Sequence, residues 1–220
     1  NRTKAVSRIE NVEEQTLEPY RSLGLECVLK SHDYVYATSA LAHLKGDAFK
    51  SKRAAVNQFT KRYSFCYRPF RISDAAACLV LYEKWMEVQR SRRARDHVYC
   101  GMLEDTFKTL RMTLAHYRAL QVTGSVVLVD RQLKAFTFGY ALHSGMFCIL
   151  YEIADLSVRG LSQFIFQRFS RDRETFECIN AMDDSGLENL KSVKLSYRPV
   201  RLVPSYIVQR PRARIDSVRQ

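Results

Sequence analysis

No run of about 18 uncharged apolar residues occurs in this chain, because the longest apolar stretches are broken at Lys134, Glu152 and Arg168. A membrane-spanning helix is excluded on that pattern. No CxxC pair is found among Cys27, Cys66, Cys78, Cys100, Cys148 and Cys178, and several sit inside apolar patterns such as FCIL and FECIN, the setting of reduced core thiols. That usage points to a cytoplasmic location, extending at most to the inner face of a membrane. The five histidines form no HxxxH or Cys/His group with ligand spacing, so no metal site is expected. There is no charged, then apolar, then small-residue leader, and the first residue is Asn1. The expectation is a chain processed, trimmed or cut from a larger protein.

What is present is a globular composition with an excess of positive charge. The 220 residues are 46% hydrophobic and 11% aromatic, enough for one large core or one domain plus part of another. Lysine and arginine total 35 against 23 acids, a net charge of +12, which attracts polyanions: nucleic acid, anionic lipid or a phosphorylated cofactor. Clusters such as QRSRRAR (Gln89 to Arg95) also read as a solvated helix end.

The order of elements is more specific than the composition. From Tyr63, an aromatic strand-like run (YSFCYRPF) precedes a helix that Ser73 can cap, with Cys78, Leu81, Tyr82, Trp85 and Val88 at helical spacing. A second helix is expected from about Met102 to Leu120. The runs SVVLVD, LKAFTFGYAL and MFCILYEI, separated by DRQ and HSG, read as an antiparallel meander. After them come an amphipathic helix through Leu161, Phe164, Ile165 and Phe169, a strand TFECIN, a helix from Gly186 to Leu195, and a strand VRLVPSYIV. The order β, α, α, β, β, β, α, β, α, β is that of the Gcn5-related N-acetyltransferase fold, an α/β architecture on a mixed sheet. Residues 1–62 read as a partial N-terminal unit of the same kind, residues 63–209 as the complete acyltransferase-like domain, and 210–220 as a basic tail.

Two stretches carry a family resemblance, LKGDAFKSKRAAVNQF and INAMDDSGLENLKSVKLSYRP. Both are similar to signatures of the family built around the C-terminal catalytic domain of phosphatidylglycerol lysyltransferase, and the likeness runs from about Asp33 to Val208. The resemblance implies tandem acetyltransferase-like units and, in the characterised branch, transfer of an aminoacyl group from aminoacyl-tRNA to a lipid headgroup. Three positions depart from the family pattern: Ala54, Ala181 and Met182 stand where polar residues are usual. A non-catalytic RNA- or protein-binding module on a decayed transferase scaffold is therefore the rival to an aminoacyl or acyl transferase acting on a phospholipid headgroup or amine.

The candidate residues follow from both lines. In this fold, the helix after the fourth strand offers free N–H groups to a phosphate, so Ser157 to Gly160 supply the loop and Arg159 a charge beside Gly160. Only Gly160 survives of the usual coenzyme A loop, and the resemblance then implies a tRNA 3′ end, ahead of acyl-coenzyme A, as donor; no bound cofactor is expected. Glu152 and Asp155, at the mouth of the strand, are either a general base or ammonium anchor, or a surface charge and a helix cap. By the resemblance, Asp155 and Arg159 match an acidic-then-basic motif, and Lys194, Tyr197 and Pro199 match a Lys-x-x-aromatic-x-Pro segment. Lys194 can neutralise a phosphate or oxyanion, or complement the end of its helix. Lys45, Lys50, Lys52 and Arg53 can bind a tRNA backbone or a lipid phosphate, or form a solvated helix face. Asp183, Asp184 or Ser185 is expected to cap the helix near Gly186. Oligomeric state is not readable from the sequence.

Overall fold

A computed structural model describes residues 8–93, 96–143 and 145–211. The first elements of the described residues are β1 (Arg8–Glu13), a short helix α1 (Glu18–Ser22), a long β2 (Glu26–Ala37), α2 (Thr38–His43) and α3 (Lys50–Arg62). Next come β3 (Phe65–Pro69), α4 (Ala75–Arg92), α5 (His97–Ala115), and the meander β4 (Thr123–Val129), β5 (Gln132–His143) and β6 (Met146–Ala154). The last elements are α6 (Leu161–Arg171), β7 (Cys178–Asn180), α7 (Glu188–Leu195) and β8 (Arg201–Gln209). From β3 onward this is the expected order of types.

Local chemistry sets most boundaries. Asp130 and Arg131 both adopt positive φ, which matches the twist of a two-residue hairpin between β4 and β5. Asp96 accepts from the Tyr99 backbone N–H, so α5 starts earlier than Met102 and ends earlier than Leu120. Before α4, Asp74 rather than Ser73 holds the turn: it accepts from the Arg71 N–H and pairs twice with the Arg68 guanidinium. The β7 strand is only three residues long, shorter than TFECIN, because only Cys178 to Asn180 lie between two ladder partners. Within QRSRRAR, Arg90 pairs with Glu104 and Arg93 donates to Asn189; residues 94 and 95 lie outside the described ones, as does most of the expected basic tail, from residue 212 on.

All eight strands form one sheet in the order β1-β8-β2-β7-β6-β5-β4-β3. The expected division after residue 62 does not show as a break in it. Strand β2, from the N-terminal segment, is hydrogen-bonded between β7 and β8, so the last strand reaches the rest of the sheet through an N-terminal one. Pro204 fits inside β8 because the β1 ladder ends next to it, at Glu13 opposite Ser205.

Helices cover both faces. On one, α2, α3 and α6 bury Leu41, Phe59, Leu161, Ile165 and Phe169 against Tyr34, Tyr36, Phe147, Ile149 and Ile179. On the other, α4 and α5 bury Cys78, Tyr82, Leu103 and Leu110 against Phe136, Phe138, Tyr151 and Ile153. Strand β6 contributes Phe147 and Ile149 to the first face but Tyr151 and Ile153 to the second. The switch is a bulge: Phe138 pairs with Tyr151 and Gly139 with Ile149, leaving Leu150 extra.

Gly160 stands at the junction of α3 and α6 with φ +81, and a Cβ there would run into the carbonyl oxygen of Ala55. Gly46 has a similar φ of +84 but open space around it. Gly160→Ala is therefore expected to lower stability by about 2–4 kcal/mol, chiefly from steric overlap, and Gly46→Ala by about 1–3 kcal/mol, from backbone strain alone at ψ 172. Thermal melting of the two variants checks the contrast.

Candidate functional site

The site begins where a parallel ladder stops. β6 and β7 are paired only at Met146/Cys178, Phe147/Ile179 and Cys148/Asn180, so Ile149 to Ala154 run on without β7 beside them. A cleft opens past Cys148 and Asn180. The bulge at Leu150 then turns Glu152 to the face that carries Tyr36 and α6 instead of the opposite one.

Lys194 reaches this opening from the last turn of α7. Its ammonium donates to the carbonyls of Ala181 and Met182, just beyond the last β7 pair, and stands 5.6 Å from the Tyr34 ring. The Tyr36 hydroxyl donates to the Lys194 carbonyl at 3.0 Å, which fixes the helix end over β2. Burial depresses the Lys194 amine, while Asp183, Asp33, Glu152 and Asp184 pull the other way without fully offsetting it. Two of its three N–H bonds are engaged, leaving one for a ligand.

Glu152 is the most perturbed acid of the site. Burial pushes its carboxyl up to about 8, and the Lys194 charge keeps it from rising further. Its Oε2 is buried with no hydrogen-bond partner among the described residues. Such a carboxyl takes or gives a proton near neutral pH. Tyr197 lies buried beside it, packed edge-on against Phe166, with the Lys52 ammonium 4.4 Å above its ring. Burial lowers the Lys52 amine as well.

Of the expected site residues, then, Glu152, Lys194, Tyr197 and Lys52 come together. Asp155 is held elsewhere: it accepts from the Lys134 ammonium at 2.9 Å and from the Ser157 N–H and hydroxyl. Burial opposes its charge, but these donors outweigh burial and hold the carboxyl below its usual range. Arg53 donates to the carbonyls of Leu44 and Gly46, so it ties down the loop before α3. Lys45, Lys50 and Arg159 are exposed. Gly160 is backed by the α3 chain at Ala55, which explains its lack of a side chain without a phosphate.

The acidic turn differs from expectation. Helix α7 starts at Glu188 with no side-chain cap. Asp183 accepts from the Ser31 hydroxyl and pairs with Lys30, and Asp184 accepts from the Tyr34 hydroxyl at 2.6 Å. These acids bind β2, about 150 residues away, instead of the next helix; positive φ at Met182 and Ser185 shapes the turn that lets them. Sequence reading missed Tyr34, Tyr36, Asp33 and Asn180. The alternation in HDYVY marks two tyrosines on one face, but nothing local says what that face meets.

Among the described residues no helix is long and apolar enough to cross a membrane. No curated protein matches the chain. Among solved structures it is similar to a conserved protein of unknown function from Bacteroides thetaiotaomicron, with 27% identity and a TM-score of 0.74 over 93% of this chain and 69% of that one. The C-terminal DUF2156 domain of a putative lysylphosphatidylglycerol synthetase from Agrobacterium fabrum matches at 13% identity and TM-score 0.57, covering 93% of this chain and 67% of that one. L-PGS from Bacillus licheniformis matches at 14% and 0.58, covering 92% and 67%. Those two likenesses show a shared fold. The family model for the C-terminal part of phosphatidylglycerol lysyltransferase matches residues 8–209, nearly all of what has just been described, and the chain belongs to that family.

Proposed function

We propose that this protein moves an aminoacyl group, supplied by aminoacyl-tRNA, or a related acyl group, onto a phospholipid headgroup or an amine. Family and fold support an acyltransferase-type function. The observation that carries the finer reading is Glu152, a carboxyl with an unpartnered oxygen and a pKa near 8, beside the Lys194 ammonium in the β6/β7 opening. In the forward step, ionised Glu152 takes the proton from the acceptor hydroxyl or amine as it attacks the ester carbonyl of the donor. The new C–O or C–N bond forms, the free N–H of Lys194 supports the oxyanion, and the tRNA 3′ oxygen departs with a proton. Asp155 positions the exit of β6 through Lys134 and Ser157. Lys52, stacked on Tyr197, faces the same cluster as a site for substrate phosphate.

The rival reading, a non-catalytic RNA- or protein-binding module, is favoured by the internal employment of Arg53 and Asp155, whose charges serve loop contacts. Both readings place a polyanion on the exposed lysines before and in α3, at the cytoplasmic side of a membrane or in solution.

Glu152→Gln is expected to reduce single-turnover transfer from charged tRNA by about 10²–10⁴-fold. Wild-type transfer should rise with pH through about 8, as the carboxyl ionises. Stability should move the opposite way. The folded protein keeps a proton on Glu152 between its ordinary 4.5 and about 8, so this group costs stability as pH rises across that window. The Gln variant should therefore melt above wild type at pH 8 and level with it near pH 4.5. Asp155→Asn should show the reverse pattern: a melting point lowered by the loss of about 1 kcal/mol, with transfer largely retained. Normal transfer by Glu152→Gln would remove it from the mechanism, and no turnover with charged tRNA or acyl-coenzyme A would favour the binding module.

The charge reading has its own test. Lys45→Ala with Lys50→Ala should weaken tRNA binding and flatten its salt dependence by roughly one unit of slope per lost phosphate contact. Arg53→Ala should instead lower the melting point, because two loop carbonyls lose their donor. Titrations at several salt concentrations, with vesicles of phosphatidylglycerol in parallel, measure both.

A further inference from the structure

On the sheet face opposite Tyr34 and Tyr36, a small cavity of about 20 Å³, lined by both apolar and polar side chains, lies against the pair at which the β6/β7 ladder ends. The register lines its residues up in one row: Tyr140 is opposite Cys148, Cys148 is beside Asn180, and Asn180 is opposite Val35, two residues along β2 from Asp33. Ser205 of β8 and Glu13 of β1 complete the wall. Half-exposed Tyr140, Met182 and Pro204 form the rim.

Two of these groups lack what buried polar groups require. Asp33 is 9% exposed and Ser205 is 3% exposed, yet Asp33 Oδ1 and Ser205 Oγ have no hydrogen-bond partner among the described residues. The other Asp33 oxygen accepts from the Asn180 amide at 2.9 Å, a neutral donor, while Lys30 and Lys194 act on the carboxylate only from a distance and against the like charge of Asp183. Leaving such acceptors bare is costly, and more so for a charge. Burial, opposed by the Asn180 bond, raises the Asp33 carboxyl, as expected of an acid without a cation in direct contact.

We infer that this cavity binds a primary ammonium group of the substrate, with Asp33 as its counter-ion and Ser205 as a second acceptor. An ammonium brings up to three N–H donors and a positive charge in a volume close to that of one water, which is what the space and its bare acceptors call for. The cavity adjoins the opening that holds Glu152 and Lys194, but from the other face of the sheet. The Lys194 charge acts on both Asp33 and Cys148 of the cavity, so a group held there is a close neighbour of the opening. Only the origin of the ammonium rests on the transferase reading: it is the α-ammonium of the aminoacyl donor or the amine of the acceptor.

Binding can be tested without turnover. Alanine ethyl ester stands for the donor, ethanolamine for the acceptor, and N-acetylalanine ethyl ester and ethylene glycol are the uncharged controls. The readout is the NMR shift of the Asn180 side-chain amide during titration. Wild type should bind at least one amine about tenfold or more tightly than its control, the discrimination expected of a charge-assisted hydrogen bond. Asp33→Asn should reduce that preference to less than about twofold, and Ser205→Ala, a milder change, should reduce it in part. A response to the ester assigns the pocket to the donor, and one to ethanolamine assigns it to the acceptor. Equal responses to amine and control, or none to either amine, would overturn the inference and mark a site for water alone. Transfer activity is not part of this readout, so loss of the transferase reading and loss of the ammonium site are separable results.

Discussion

One buried ammonium organises the end of the sheet. Lys194 donates to two carbonyls just past the last β7 pair and stands among four carboxyl groups, those of Asp33, Glu152, Asp183 and Asp184. Without that cation, the four acids would face one another across a low-dielectric space, where like charges repel strongly. Its carbonyl in turn receives the Tyr36 hydroxyl, so the same residue seats α7 on β2. Past the last β6/β7 pair, the Lys194 ammonium thus sets a positive charge on the turn after β7, among the acids around it. This arrangement suits a site where charge must develop during a reaction, because the compensating group is already in place.

The strands and helices from Tyr63 onward were legible because each is a long run with its own period: alternation in β4, β5 and β6, and helical spacing in α4, α5 and α6. Three features were not. The bulge at Leu150 has no sequence mark, yet it decides which face Glu152 occupies. The place of β2 between β7 and β8 depends on partners more than 140 residues away. Asp183 and Asp184 look like helix caps in isolation, and only the nearness of Ser31, Lys30 and Tyr34 makes them cross-links to β2. The candidate site was legible in the same measure. Lys194, Tyr197 and Glu152 were marked by the resemblance and by their place at a strand mouth, whereas Tyr36 and Asp33 enter only through the folded sheet. Local rules favour a helix cap at Asp155, but Gly160 stands at the N-cap of α6, and Asp155 instead pairs with Lys134 and holds the turn at Ser157.

The two faces of the sheet divide the work. On the side of α3 and α6, aromatic packing around Phe59, Phe164 and Phe166 backs Tyr197 and supports Lys52 over its ring. On the other, the α4/α5 core stops short of Tyr140 and Asp33, and polar side chains replace apolar ones in the row from β5 to β2.

The position of β2 has a consequence for how the chain is made. Its twelve residues leave the ribosome well before both of its neighbours, β7 and β8, which lie more than 140 residues further along the chain. At typical rates of synthesis, about 5–20 residues per second, roughly 10 to 30 seconds pass before the last strand is available. Throughout that interval the nascent chain carries a long strand with two open hydrogen-bonding edges and alternate aromatic residues, the form most prone to pair with a stranger. Completion of the site and protection of that strand are therefore a single event, reached when β8 closes over an edge left open since β2 was made.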